Sequence, residues 1–119
     1  MRRLIAALFL AIVPLGLSAP ARADSVKEML AKLPAPTLES QKSMAELEYC
    51  ISVGSSEWFS PVAIRGEGRL LIYGSMNASF MSGVGFLVSV EDQGERRTVA
   101  VKVYKGYDSR MNELLRSCV

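Results

Sequence analysis

Two runs between Phe80 and Val103 carry apolar residues at alternating positions. Phe80, Val84, Phe86, Val88 and Val90 alternate with smaller or polar residues, and Val99, Val101 and Val103 alternate with Thr98, Ala100, Lys102 and Tyr104. Successive side chains of a strand point to opposite faces, so this period of two describes a pair of half-buried strands rather than a helix. Gln93-Gly94 divides the two runs as a hairpin turn. With Asp92 and Glu95 flanking the turn, Val90 faces Arg97, Val88 faces Val99, Phe86 faces Val101 and Val84 faces Val103. Apolar side then meets apolar side, as the pleat demands, and Glu91 meets Arg96 on the other face.

A second hairpin is predicted upstream. Residues 61–65 and 69–73 flank Gly66-Glu67-Gly68, which reads as a three-residue loop with Ile64 facing Leu70 and Val62 facing Ile72. Gly74 to Ser79 is a looser connection to the next strand.

Helices bracket these strands. Ser25-Val26-Lys27-Glu28 matches a capping box, and Val26, Met29, Leu30 and Leu33 follow at helical spacing until Pro34. Pro34-Ala35-Pro36 is a stiff spacer, and the short helix before it is either docked or mobile. A longer helix is expected over 38–53, with Met44, Leu47, Cys50, Ile51 and Gly54 on one face. The last segment, capped by Asp108 or Ser109, places Met111, Leu114, Leu115 and Cys118 at i, i+3, i+4 and i+7. The pattern predicts a two-layer α+β domain: a four-stranded antiparallel sheet with helices before and after it, packed on one face.

The N-terminus follows the grammar of a cleavable secretory leader. Arg2 and Arg3 precede an apolar run from Leu4 to Leu17, and Ala21-Arg22-Ala23 fits the A-x-A cleavage pattern. The run is shorter than the roughly 20 apolar residues that span a bilayer, so no membrane anchor is expected after cleavage. The expected organisation is a signal peptide over 1–23, a short helix and proline spacer over 24–37, and one domain over 38–119. The destination is the periplasm or the external medium.

Cleavage alters the charge. The whole chain carries 14 Lys and Arg against 12 Asp and Glu, a net +2. Arg2, Arg3 and Arg22 leave with the leader, and 11 basic residues then face 12 acidic ones. A net −1 chain gives no long-range attraction to nucleic acid. Cys50 and Cys118 are the only cysteines, and both fall on the apolar faces of predicted helices. In an oxidising compartment the pair reads as a disulfide, with two unpaired thiols as the alternative.

The catalytic inventory is thin. There is no His, which removes Ser-His-Asp and Cys-His arrangements and the usual metal-ligand sets, and no cofactor motif is present. Glu57, Glu67 and Glu91 with Arg65 or Arg69 are the remaining enzyme option, weighed against ordinary solvated charges. Asn77-Ala78-Ser79 matches the N-glycosylation tripeptide.

The sheet face turned away from the helices stands out. With Val62, Ile64, Leu70, Ile72, Phe80, Val84, Phe86 and Val88 facing the helices, it would carry Leu71, Tyr73, Met81, Leu87 and Tyr104, with Arg65, Arg69 and Lys102 among them. Such a face marks an interaction surface unless the N-terminal helix covers it. Trp58-Phe59, in the loop after the second helix, is the alternative: a loop anchor for a partner, or a plug at the end of the core. The reading is a binding or accessory module without catalytic activity, whose partner is an envelope protein or an acidic glycan. An inhibitor-like protein acting through exposed loops, such as Trp58-Phe59 or Gln93-Gly94, is the second possibility.

The segment ELEYCISVGSSEWFSPVAIRGEG, with a Cys next to the C-terminal residue, resembles a group of small exported proteobacterial proteins. In that group a helix with one Cys leads into a Pro-containing strand ending in R-G-x-G, then further strands and a terminal helix with the second Cys. The resemblance covers residues 44–119. It implies export, an α+β fold and a Cys50–Cys118 disulfide, and it implies no catalytic residue, since the group has no assigned function.

Overall fold

The computed structural model describes residues 25–76, 83–104 and 106–119. In chain order the elements are α1 (Val26–Ala31), β1 (Leu38–Ser40), α2 (Met44–Ser55), β2 (Ser60–Gly66), β3 (Arg69–Ser75), β4 (Val84–Asp92), β5 (Arg97–Val103) and α3 (Asp108–Cys118). The five strands form one antiparallel sheet in the order β1-β5-β4-β3-β2. The class is α+β, as the alternating pattern predicts. The leader, the Asn77-Ala78-Ser79 tripeptide, Phe80 and Met81 lie outside the described residues.

The fifth strand corrects the reading of 38–53 as one helix. Leu38, Glu39 and Ser40 pair with Val99, Thr98 and Arg97 along the free side of β5. The helix starts later because Ser43 and Glu46 form a reciprocal capping box: Ser43 Oγ accepts from the Glu46 N–H, and a Glu46 carboxylate oxygen accepts from the Ser43 N–H. Pro36 already biases the preceding chain toward extended backbone. Leu38 then adds its side chain to the core.

Both hairpins form, each in a different register from the expected one. In β4–β5, Val90 faces Val99, Val88 faces Val101 and Phe86 faces Val103. The shift is two residues, so inward and outward faces are preserved. Asp92 causes it: its carboxylate accepts the Gly94 N–H at 3.0 Å, and the Gln93 N–H reaches the Arg96 carbonyl, which makes 93–96 a four-residue loop. Glu91 consequently faces Thr98 rather than Arg96.

In β2–β3 the shift is a single residue. Gly66 pairs with Arg69, so only Glu67 and Gly68 lie in the turn, with Gly68 at φ +65°. A slip of one turns every side chain of a strand to the other face. Val62 and Ile64 therefore face away from α2 and α3, opposite Tyr73 and Leu71, while Ala63 and Arg65 face toward them.

The main core lies between the sheet and α2 and α3. Leu47 and Ile51 of α2, Met111, Leu115 and Cys118 of α3, and Leu70, Ile72, Phe86, Val88, Val90 and Val99 of the sheet are all buried there. Cys50 and Cys118 form the disulfide, with Cα atoms 5.7 Å apart, and it ties α2 to α3. Beside it Gly54 allows close approach, because a Cβ there would collide with Leu114. α3 starts after Tyr107, which makes no side-chain cap bond, rather than after a capping Asp108 or Ser109.

The expectation of helices on one face is also corrected. α1 packs on the opposite side, where Met29 is buried with Val84 and Leu87, and Val26, Leu30, Leu33, Leu71 and Tyr73 pack around them. The reason is that both partners had an apolar surface to bury: the stripe on α1 and the outward row on β3 and β4. β4, covered on both sides, is buried from Val84 through Val90. Val84 belongs to this outer cluster, not to the helix-facing row. A register irregularity between Gly74 and Ser75 places Ser75 opposite Val84 and Gly74 opposite Phe86.

Candidate functional site

The outer face is built from alternate residues of four strands. β2 contributes Val62 and Ile64, β3 contributes Arg69, Leu71 and Tyr73, β4 contributes Leu87, Ser89 and Glu91, and β5 contributes Thr98, Ala100 and Lys102. α1 covers part of it. Its Ser25 cap, whose Oγ accepts from the Glu28 N–H, sets the start of the helix, and Met29 enters the floor with 3% of its surface exposed. Leu87 is fully buried beneath it and Leu71 and Tyr73 are half-buried.

What α1 leaves open lies toward β2. Val62 and Ile64 remain 45% and 46% exposed, beside the half-buried Tyr73 and Leu71. β2 is an edge strand, and Pro61, which has no N–H to offer, interrupts the hydrogen-bonding capacity of its row. Arg69 closes one end of the face. Its Nε donates to Ser89 Oγ at 3.2 Å and its guanidinium lies 3.7 Å from Glu91, so the buried Ser89 hydroxyl has a partner and the arginine is held down on the sheet.

The predicted surface residues divide accordingly. Arg69, Leu71, Tyr73, Leu87 and Lys102 lie on the outer face, though Leu87 is inaccessible. Tyr104 follows the end of β5 and is 37% exposed. Arg65 lies on the helix side, the consequence of the one-residue register. Its guanidinium grips the Glu48 carboxylate of α2 through two contacts of 2.5 Å. The hydrogen bond to Glu48 and that carboxylate's charge raise the Arg65 pKa above its ordinary value. Val62 and Ile64, assigned from the sequence to the core, are the accessible apolar residues of the face. The signal that would have placed them is the choice between a two- and a three-residue turn at Gly66-Glu67-Gly68.

Trp58 and Phe59 part company. Phe59 is buried and packs edge-on against Phe86 at 5.1 Å and Tyr107 at 4.9 Å between ring centroids, so it plugs the core. Gly74 and Gly85 make room for it: a Cβ on Gly74 would stand 2.7 Å from Phe59 Cβ, and one on Gly85 would strike the Phe59 ring. Trp58 is half-buried under the Arg110 guanidinium, 5.6 Å from the ring, in an open depression of about 610 Å³ that Glu57 and Glu113 also line.

Of the carboxylate–arginine option, Glu91 meets Arg69 at 3.7 Å on the outer face, and Glu57 lies apart from both arginines. Arg65 and Arg69 border a depression of about 300 Å³ with Glu48 and Asp92, while Glu57 lies with Trp58 and Arg110. Among the described residues, no group of three or more Cys, Asp or Glu is placed to hold a metal ion, and no helix is long and apolar enough to cross a membrane.

Comparison of the chain with protein-family models, with curated proteins and with solved structures finds no match.

Proposed function

We propose that this chain is an exported binding module without catalytic activity, and that it meets a protein partner on the outer sheet face beside α1. The observation that carries this reading is the exposure of Val62 and Ile64, which pair with Tyr73 and Leu71 at the border of α1 and extend the apolar face beyond what α1 covers among the described residues. Apolar residues grouped in this way mark contact surfaces more often than scattered ones do. The dominant apolar character favours a protein over an acidic glycan, because Arg69 is already engaged by Ser89 and Glu91. The leader, the likeness to the exported two-cysteine group and the helix-to-helix disulfide support delivery to the periplasm or the medium.

The test is capture from the cell envelope with a C-terminal tag, comparing wild type, the double variant Val62→Ser and Ile64→Ser, and Trp58→Ala. Loss of a reproducible partner in the double variant alone supports the sheet face. Loss in Trp58→Ala alone transfers the function to the loop reading, and retention in every variant overturns the assignment of this face.

A further inference from the structure

Among the described residues β2 is the long free edge of the sheet: it runs for seven residues, whereas β1 at the opposite edge has three. The pairing of Gly66 with Arg69 around Glu67-Gly68 fixes which way its backbone points. A two-residue hairpin turn closes on a hydrogen-bonded pair, and bonded and unbonded positions alternate along an antiparallel strand. Gly66, Ile64 and Val62 therefore direct their backbone groups to β3, and Pro61, Ala63 and Arg65 turn theirs to the free edge. Such a row is a template for another strand. Pro61, which has no N–H, limits it at one end, and the Glu67-Gly68 turn limits it at the other. The charge on the strand does not shield it, because the Arg65 side chain is engaged by Glu48 on the helix side.

We infer that the chain forms a two-fold dimer by pairing β2 antiparallel with β2 of a second copy, with Ile64 on the axis. Ala63 and Arg65 stand symmetrically about Ile64, so the Ala63 N–H donates to the carbonyl of the partner's Arg65, and the Arg65 N–H to that of the partner's Ala63. This symmetry is what selects a second copy: every N–H on the edge finds its acceptor in the same short row of the same chain. Pro61 also sets the register, since pairing Ala63 with itself would turn the Arg65 carbonyl toward a proline that cannot donate. On the outer face Ile64, 46% exposed in the single chain, is covered by the partner's Ile64. α2 lies over β2 and β3, so the two copies of α2 come to roughly two strand spacings, about 10 Å, an ordinary distance between packed helices. An isologous contact of this kind closes as a dimer. It leaves the outer face open and does not rest on the partner proposed above.

Sedimentation velocity of the exported protein over a concentration series should show a monomer–dimer equilibrium. Ala63→Pro removes an edge N–H while leaving the bonds to β3 in place, and it should be monomeric at every concentration. Under mild oxidation Ile64→Cys should give an intermolecular disulfide, because facing Cα atoms of a pair that is not hydrogen-bonded lie about 4.5 Å apart, within the span of a disulfide. Ala63→Cys should not cross-link. A wild type that stays monomeric throughout, a dimer unchanged in Ala63→Pro, or cross-linking through Ala63→Cys instead of Ile64→Cys overturns the inference. Should Ala63→Pro fail to fold, Ile64→Asp takes its place, since its side chain lies in water in the single chain and against its own copy in the dimer.

Discussion

Ile64 stands directly opposite Leu71 across the β2–β3 pair, and both side chains lie on the face of the sheet turned away from α2 and α3. The neighbouring Ala63 points the other way, opposite Ile72, and packs against the main core. A charge at these two adjacent positions should therefore act very differently. Ala63→Asp places an unpaired carboxylate against the core and should cost about 2 kcal/mol or more. Ile64→Asp stays largely in water and should cost under about 1 kcal/mol. Urea unfolding of the two variants checks the register, since a shift of one residue would invert their order.

The disulfide closes a long loop. Cys50 and Cys118 are 68 residues apart in sequence, and the chain-entropy model assigns a cross-link of that span about 4 kcal/mol. The double variant Cys50→Ala, Cys118→Ala should unfold at markedly lower denaturant than the oxidised protein, and reduction of the wild type should bring it to a similar midpoint. Coincident unfolding curves with and without reductant would show that the cross-link adds nothing to stability.

The cradle around Phe59 predicts a specific coupling. Gly85→Ala adds a methyl where the Phe59 ring already sits, and overpacking of this kind costs about 1–3 kcal/mol. Phe59→Leu removes part of the obstructing ring and is destabilising by itself. Combined, the two should be less damaging than the sum of the single changes, because one relieves the clash that the other introduces. A double-mutant cycle measures this, and simple additivity would mean that the two residues do not meet.

The start of α2 is also open to measurement. Ser43→Ala deletes the side chain that receives the Glu46 N–H and should cost about 1 kcal/mol. Thr37→Ala should change little, because Thr37 contributes its backbone N–H, which donates to the Val99 carbonyl. A helix beginning at Leu38 would require the opposite ranking.

Much of this architecture is written in local chemistry. The alternation of Val84 to Val90 and of Val99 to Val103 requires strands, and the spacing of Met111, Leu114, Leu115 and Cys118 requires an amphipathic helix. Both cysteines sit on helix faces that turn inward, and the structure joins them. The Ser43–Glu46 capping box was equally legible, yet helical spacing across 38–53 masked it. Three residues of strand at Leu38–Ser40 are too short to show any period. The candidate face was only partly legible: Arg69, Leu71, Tyr73 and Lys102 lie on it as the alternation implies, whereas Arg65, Val62 and Ile64 exchange sides.

That exchange marks the boundary between the two kinds of information. Side-chain pattern within ten or so residues decides that a segment is strand or helix, and it decided the α+β class, the hairpins and the inward-facing cysteines. It does not decide how long a turn is, because Gly66-Glu67-Gly68 accommodates two loop residues or three. Nor does it say which face a short apolar helix will choose when two apolar faces are offered. Tertiary packing settled both. Pairing Gly66 with Arg69 directs Arg65 to Glu48 and Ala63 to the crowded core under α2. With α2 and α3 occupying the inner face, the outward row of Leu71, Tyr73 and Leu87 was the surface left for α1, since neither could be left in water without cost.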